Sequence, residues 1–386
     1  MRRVYLDHNA TTPVRPEVAE AMRRCLGALF GNPNSIHSFG REARAAVEEA
    51  RAQAAALIGA EPEEILFTSG GTESDNLALR GALAAAGGGG HIVTTAVEHH
   101  AVLDTCKALE SDRLQVTYVP PDKAGRVAAG DVAGAIRPDT RLVSVMWGNN
   151  EVGTLQPVRE IAALCRERGV PFHTDAVQAL GKAGIDVRAL GADFLSASAH
   201  KINGPKGAGF LYVRKGARLA PLQTGGGQER DIRPGTENVP GIVGLGEACR
   251  LAREEGPALA RSLAALRGRL EAEACERIPD TVVNGDPDRR LPGTANLSFP
   301  GAEGETLLIR LDLEGIAVST GSACSAGSTE PSHVLLAMGL PMEVIRGSLR
   351  FSLGWGSTDA DVDRLLEVLP EAVRRVRAMA PREKAR

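Results

Sequence analysis

The most chemically suggestive stretch of the chain is Ser196-Ala197-Ser198-Ala199-His200-Lys201-Ile202-Asn203-Gly204-Pro205-Lys206-Gly207-Ala208-Gly209. Lys201 follows a short apolar run and precedes a turn rich in glycine and proline. An amine placed there sheds hydration, loses its charge more easily and becomes nucleophilic toward aldehydes. Lys206 sits inside the turn and reads as a surface lysine. Only seven lysines occur in 386 residues, so few amines compete for such a role.

Other polar clusters also follow apolar runs. Ser69-Gly70-Gly71-Thr72-Glu73-Ser74-Asp75-Asn76 places glycines and hydroxyls at a helix start. Free backbone N–H groups and the positive end of the helix dipole would suit an anion there. An ordinary N-cap built on Thr72 or Asp75 explains the same residues. Val97-Glu98-His99-His100 ends another run. Read as strand, it turns its two histidines to opposite faces, so one of them at most faces a site and a metal pair is disfavoured. Further along lie Trp147-Gly148-Asn149-Asn150-Glu151 and His173-Thr174-Asp175-Ala176-Val177-Gln178. An acid buried at Asp175 needs a partner, either a cationic group of a cofactor or a hydrogen-bond network.

The six cysteines form no CxxC pair. Cys25, Cys106, Cys165, Cys249 and Cys275 lie in helical or apolar contexts and read as core fillers. Cys324 differs. It sits in Ser319-Thr320-Gly321-Ser322-Ala323-Cys324-Ser325-Ala326-Gly327-Ser328-Thr329-Glu330-Pro331, a small and polar stretch between a strand and a helix. Such a stretch predicts an accessible and mobile thiol, as a nucleophile must be.

Alternating elements must position these residues. Runs at Ile65–Thr68, His91–Val97, Leu114–Val119, Arg141–Trp147, Pro171–Asp175, Asp193–Ala197 and Gly209–Val213 predict seven strands. Helical stretches such as Arg41–Leu57 and Val158–Arg168 lie between them. This pattern is α/β, with a largely parallel sheet and ligands expected at the carboxyl ends of its strands. The tetraglycine Gly87–Gly90 reads as a loop, because no Lys-Ser/Thr follows it. Beyond residue 250 the pattern changes to a long amphipathic helix at Ala258–Ile278 and strands near Thr281–Val283 and Ala295–Phe299. A helix at Glu303–Glu314, a strand at Ala317–Ser319 and a last helix at Asp359–Met379 complete it. The expected division is a large domain, 15–255, and a smaller α+β domain made of 1–14 with 256–386.

Composition bounds the rest. Hydrophobic residues at 43% and charged residues at 24% fit a globular protein and exclude disorder as the main state. A net charge of −3 advertises no nucleic-acid surface. No run of 18 apolar residues occurs, and the amino terminus meets Asp7 too early for a secretory signal. Free thiols in a cytoplasmic protein are expected, without membrane or nucleic-acid partners.

The motifs in order, from Tyr5-Leu6-Asp7-His8-Asn9-Ala10-Thr11-Thr12-Pro13 to Leu349-Arg350-Phe351-Ser352-Leu353-Gly354, closely resemble the pyridoxal-phosphate-dependent cysteine desulfurases of the nitrogenase-type and iron–sulfur-cluster-type group. The resemblance spans nearly the whole chain. It implies the aminotransferase-like fold type I, a homodimer and pyridoxal 5'-phosphate. It assigns Lys201 to the cofactor's aldehyde, Asp175 to its ring nitrogen, Gln178 to its phenolic oxygen and His99 to the face of the ring. Gly71, Thr72, Ser198 and His200 fall in the phosphate cup, and Thr236 matches a phosphate contact from the other subunit. Asn150 and Arg350 match the residues that hold the substrate carboxylate, and a planar guanidinium suits that task. Cys324 matches the persulfide carrier, and no metal site is implied. Asn203 departs from the aromatic or glycine that many relatives carry at its position, and His8 stands where asparagine or another residue is frequent. The implied activity converts L-cysteine to L-alanine and passes sulfur to an acceptor protein such as an iron–sulfur scaffold, or toward thiolation of tRNA or cofactors. A selenocysteine lyase or aminotransferase would share the cofactor site, and a sulfur-carrying scaffold with a degenerate site is the non-enzymatic alternative.

Overall fold

Short runs of β-branched and apolar residues, buried on both faces, form the centre of the molecule, as parallel strands covered by helices must. The computed structural model describes residues 2–320 and 330–379. Strand β1 (Val4–Tyr5) is followed by helices α1 (Pro16–Leu26) and α2 (Ser38–Ile58). Then come β2 (Ile65–Thr68), α3 (Gly71–Ala85), β3 (Gly90–Thr95), α4 (His100–Leu109), β4 (Leu114–Val119), α5 (Ala129–Ala135) and β5 (Thr140–Ser144). The large unit continues through α6 (Val158–Glu167), β6 (Phe172–Asp175), α7 (Val187–Leu190), β7 (Phe194–Ser198) and β8 (Gly209–Val213). Strands β2 to β8 make a seven-stranded sheet in the order β2-β8-β7-β6-β5-β3-β4. Only β8 runs antiparallel to its neighbours. The fold class is therefore α/β with a mostly parallel sheet.

The remaining elements are α8 (Val239–Arg277), β9 (Val282–Asn284), β10 (Thr294–Ser298), α9 (Gly304–Leu313) and β11 (Ile316–Ala317), then α10 (His333–Ala337), α11 (Met342–Arg346), β12 (Ser348–Ser352) and α12 (Asp359–Met379). Strands β12, β10 and β9 form an antiparallel sheet, and β1 pairs in parallel with β11. A separate apolar cluster unites Val4, Leu6, Leu297, Phe299, Phe351 and Leu369 on this side of the molecule.

Helix α8 corrects the expected start at Ala258. It begins 19 residues earlier and passes through Pro257. The glycines of its first half do not break it; they serve close packing. A Cβ on Gly246 would lie 2.5 Å from Ala50 Cα, and one on Gly244 would lie 2.7 Å from Met22. The amino-terminal half packs on α1 and α2, whereas Leu263, Leu266 and Leu270 enter the second cluster. One helix thus serves both apolar clusters. The tetraglycine is the turn expected after α3, with Gly87, Gly88 and Gly90 at positive φ. Among the described residues, no helix is long and apolar enough to cross a membrane.

Candidate active site

The carboxyl ends of β2, β3, β5, β6 and β7 surround a cavity of ≈ 220 Å³. Gly71 and Thr72 line it from the first turn of α3, Asp175 and Gln178 from the end of β6, and Ser198, His200 and Lys201 from the end of β7. His99 and Asn150 complete the set. Nine of the positions singled out from sequence therefore meet in one place.

Local structure explains each placement. The N-cap of α3 is Gly70 at φ 153°, and no side chain caps this helix. Its first turn is left to the cavity, and neither Thr72 nor Asp75 serves as its N-cap. Glu73 turns aside instead, accepting from Ser69 N at 2.7 Å and pairing with Arg233 at 2.7 Å. His99 is not on a strand. Strand β3 ends at Thr95, and His99 is the N-cap of α4, with Nδ1 accepting from Ala101 N at 3.1 Å. Only one of the two histidines lines the cavity, but the helix start separates them, not strand alternation. Burial, helped by Lys201, His100 and His333, pushes His99 down to about 4. The ring is neutral at pH 7, and its Nδ1 acceptor places the proton on Nε2.

Asp175 is buried, and its Oδ1 accepts from Val177 N at 2.9 Å. Burial pushes this carboxyl up to about 6, against the pull of that N–H and of Lys201. Asp75, buried on α3, is pushed well above the carboxylate range by burial and by Asp175. Asp75 therefore keeps its proton first, which leaves Asp175 as the ionisable carboxylate of the pair.

Lys201 is held by the amino-terminal segment. Its Nζ donates to Asn9 O at 2.5 Å and to Ala10 O at 2.9 Å. Asn203, two residues on, adopts φ 63°, which asparagine tolerates well, and donates to Pro13 O at 2.9 Å. The unusual asparagine thus secures the turn that follows the lysine. Lys206 is exposed, as expected.

Arg350 lies on β12 with its side chain 3% exposed, so a surface pair is ruled out. It donates to Asn150 O at 3.0 Å and pairs with Asp7 at 2.8 Å, while its Nε has no hydrogen-bond partner among the described residues. It adjoins the cavity through Asn150 without lining it. Thr236 is exposed and lies outside the cavity of its own chain. Cys324 falls outside the described residues. Of the other cysteines, Cys25, Cys106, Cys165 and Cys249 are buried, but Cys275 is exposed on α8, contrary to its reading as a core filler. It follows the buried Ala274 on the helix, so its side chain turns away from the core.

Three contributors carried no role in the sequence reading. Asn9 is a hub: its carbonyl takes Lys201 and Gln178, and its side chain donates to Asn150 O and Thr294 Oγ1. Asp7 is the counter-charge of Arg350. Lys182 donates to Gln178 Oε1 at 3.1 Å. Its position four residues after Gln178, in a lysine-poor chain, was the available signal.

Comparison with known proteins gives consistent matches. Residues 4–365 match the aminotransferase class-V family. The chain is 53% identical over 379 residues to "Cysteine desulfurase IscS" of Methanosarcina thermophila, covering 98% of this chain and 94% of that one. It is 50% identical over 381 residues to the protein of the same name from Dictyoglomus turgidum, covering 98% and 97%. A solved "NIFS-LIKE PROTEIN" superposes with a TM-score of 0.91 at 39% identity, covering 97% of this chain and all of that one.

Proposed function

The chain belongs to the aminotransferase class-V family, and from that membership we infer that it is a pyridoxal-phosphate-dependent cysteine desulfurase. The single observation that carries the assignment to this site is the convergence of Lys201, Asp175, Gln178 and His99 on one cavity. The reaction breaks the C–S bond of L-cysteine and forms an S–S bond to an enzyme cysteine. L-alanine leaves, and the thiol becomes a persulfide.

The cavity fits pyridoxal phosphate on its own chemistry. A helix without a side-chain cap opens onto one end, and a buried ionisable carboxylate lies at another. Gly71, Thr72, Ser198 and His200 would hold the phosphate, and Asp175 the ring nitrogen. Gln178 would face the phenolic oxygen, and Lys201 the aldehyde. When bound, the cofactor supplies an electron sink that makes the substrate Cα–H acidic. Lys201 takes that proton on Nζ, with its amine already steered by the Asn9 and Ala10 carbonyls. His99, neutral and protonated on Nε2, would face the ring of the bound cofactor and would supply a proton as sulfur departs. Arg350 and Asn150 hold the substrate carboxylate. Asp7 keeps the guanidinium in place beforehand, because an unpaired buried charge costs several kcal/mol. Cys324 receives the sulfur.

Thr236 completes the phosphate cup of a partner subunit in this reading. Leu26, Phe30, Ile36 and Phe39 support the homodimer, since all four are exposed and cluster within one short segment. The acceptor is a protein that receives persulfide sulfur, such as an iron–sulfur scaffold, and the compartment is the reducing cytoplasm, in keeping with free thiols.

Asp175 makes cofactor affinity depend on pH. Only the ionised carboxylate attracts a protonated ring nitrogen. Affinity of the apoprotein therefore falls as pH drops through about 6, by up to about tenfold per pH unit. Equilibrium dialysis of the wild type against Asp175→Asn checks this. The wild type should lose affinity in that window, and the variant should already be weak and lack this part of the dependence.

Product analysis tests the function itself. With L-cysteine and a reductant, alanine and sulfide are expected in equal amounts. Conversion of cysteine to its keto acid without sulfide would favour the aminotransferase alternative.

A further inference from the structure

Gln178 has an oxygen end and a nitrogen end, and each is committed. Its Oε1 accepts from Lys182 Nζ at 3.1 Å, and its Nε2 donates to Asn9 O at 2.9 Å. An ammonium carries three donors and no acceptor, so Lys182 satisfies only the oxygen end. A carbonyl satisfies only the nitrogen end. Lys182 sits in a second cavity of ≈ 60 Å³, which shares Lys201 with the first and is also lined by His8 and Trp355.

We propose that Lys182 is a positioning residue that locks the Gln178 amide, so that this amide offers the cofactor cavity N–H groups and not its oxygen. The inference rests on the reading that Gln178 donates to the cofactor's phenolic oxygen. One N–H of the amide goes to Asn9, and the other remains for that oxygen. An amide turned over would set its carbonyl against an oxygen that carries negative charge, and a donor would become a repulsive contact.

The surroundings of Lys182 define when the lock acts. Lys201 after β7 and Arg350 on β12 repel it, and His8 and His200 lie within its field. Glu255, the carboxylate lining this cavity, is paired with Arg15 at 2.5 Å. Burial, together with Lys201 and Arg350, pushes Lys182 down to about 7. The lock is complete on the acid side of that value. Above it the amine gains a lone pair and the lock relaxes.

The test compares holoenzymes of the wild type, Lys182→Met, Lys182→Gln and Gln178→Ala. Two quantities are read: the visible absorption of the bound cofactor near pH 6 and the dissociation constant for pyridoxal phosphate. Lys182→Met and Gln178→Ala are expected to change the spectrum alike and to weaken cofactor binding about tenfold. Lys182→Gln carries a carbonyl oxygen beside its N–H groups, so it can pair with either end of the Gln178 amide and is expected to shift both quantities as Lys182→Met does. The difference between wild type and Lys182→Met should narrow as pH rises through about 7. A shifted Gln178→Ala beside an unshifted Lys182→Met overturns the lock and leaves the Gln178 reading intact. An unshifted Gln178→Ala overturns that reading and the proposal with it. Wild-type binding and spectrum in Lys182→Gln would show that an acceptor-free donor is not required at this position, and would also overturn the lock. If Lys182→Met does not fold, the wild-type pH trace carries the test. A spectral change through about pH 7 that Lys182→Gln abolishes supports the lock, and one that survives overturns it.

Discussion

Replacing Lys201 with alanine is expected to lower kcat/KM for L-cysteine at least about 10³-fold and to remove the visible absorbance of the bound cofactor. Two losses combine. The covalent hold on the cofactor's aldehyde disappears, and so does the amine that takes the substrate Cα proton. General-base contributions alone run to about 10²–10⁴-fold, and a loss of 10³ corresponds to about 4 kcal/mol of transition-state stabilisation. Among the described residues, no other lysine lines the active-site cavity. Lys206 is exposed, and Lys182 lines the second cavity and is engaged with Gln178. Absorption spectra and steady-state rates of the purified variant check the expectation. Retained absorbance would move the cofactor's attachment to another lysine.

The second large effect is expected at Cys324. Serine is close to cysteine in size and shape but cannot form an S–S bond. Cys324→Ser should reduce alanine and sulfide release together by on the order of 10³-fold or more, as loss of a covalent nucleophile does elsewhere. The cofactor spectrum should remain that of the wild type. The other thiols offer no rescue. Burial pushes Cys106, Cys165 and Cys249 up to about 12, where only about 10⁻⁵ of each is thiolate at pH 7. Cys25 and Cys275 are raised as well, mainly by desolvation. Parallel assays of alanine and sulfide, with the spectrum recorded on the same preparation, check the outcome. Full activity in the variant would assign the sulfur acceptor elsewhere.

Much of the sheet was readable because its strands leave compact runs of apolar and β-branched residues. Ile65–Thr68, Leu114–Val119 and Gly209–Val213 lie where those runs predicted. The Arg141–Trp147 run outlasts its ladder: β5 ends at Ser144, yet Val145 N and Trp147 N still bond to His173 O and Asp175 O. Helix α8 was less legible, since Gly244 and Gly246 look like breakers unless the backbones facing them are known. His99 was assigned to a strand because a β-branched run continues past Thr95, and a capping histidine carries no periodic signal.

The site divides in the same way. Residues that follow strand ends, such as Asp175 and Lys201, stand out by type and position. The residues that orient them act across long sequence separations. Asn9 joins Lys201 and Gln178 through its main-chain carbonyl, which any residue type supplies, and reaches Asn150 O only with its side-chain amide. Asp7 and Arg350 are 343 residues apart, and only the return of β12 beside the amino terminus reveals their pairing. Thr236 could not be placed from one chain, because the cup it was expected to complete belongs to another subunit.

The most direct measurement is a single turnover with L-cysteine in the absence of reductant, followed by alkylation, digestion and mass spectrometry of the cysteine peptides. The account predicts one added sulfur atom on the Cys324 peptide, one alanine formed per persulfide, and no added sulfur on the exposed Cys275. Alanine formed without added sulfur on Cys324, or sulfur carried on Cys275, would contradict it.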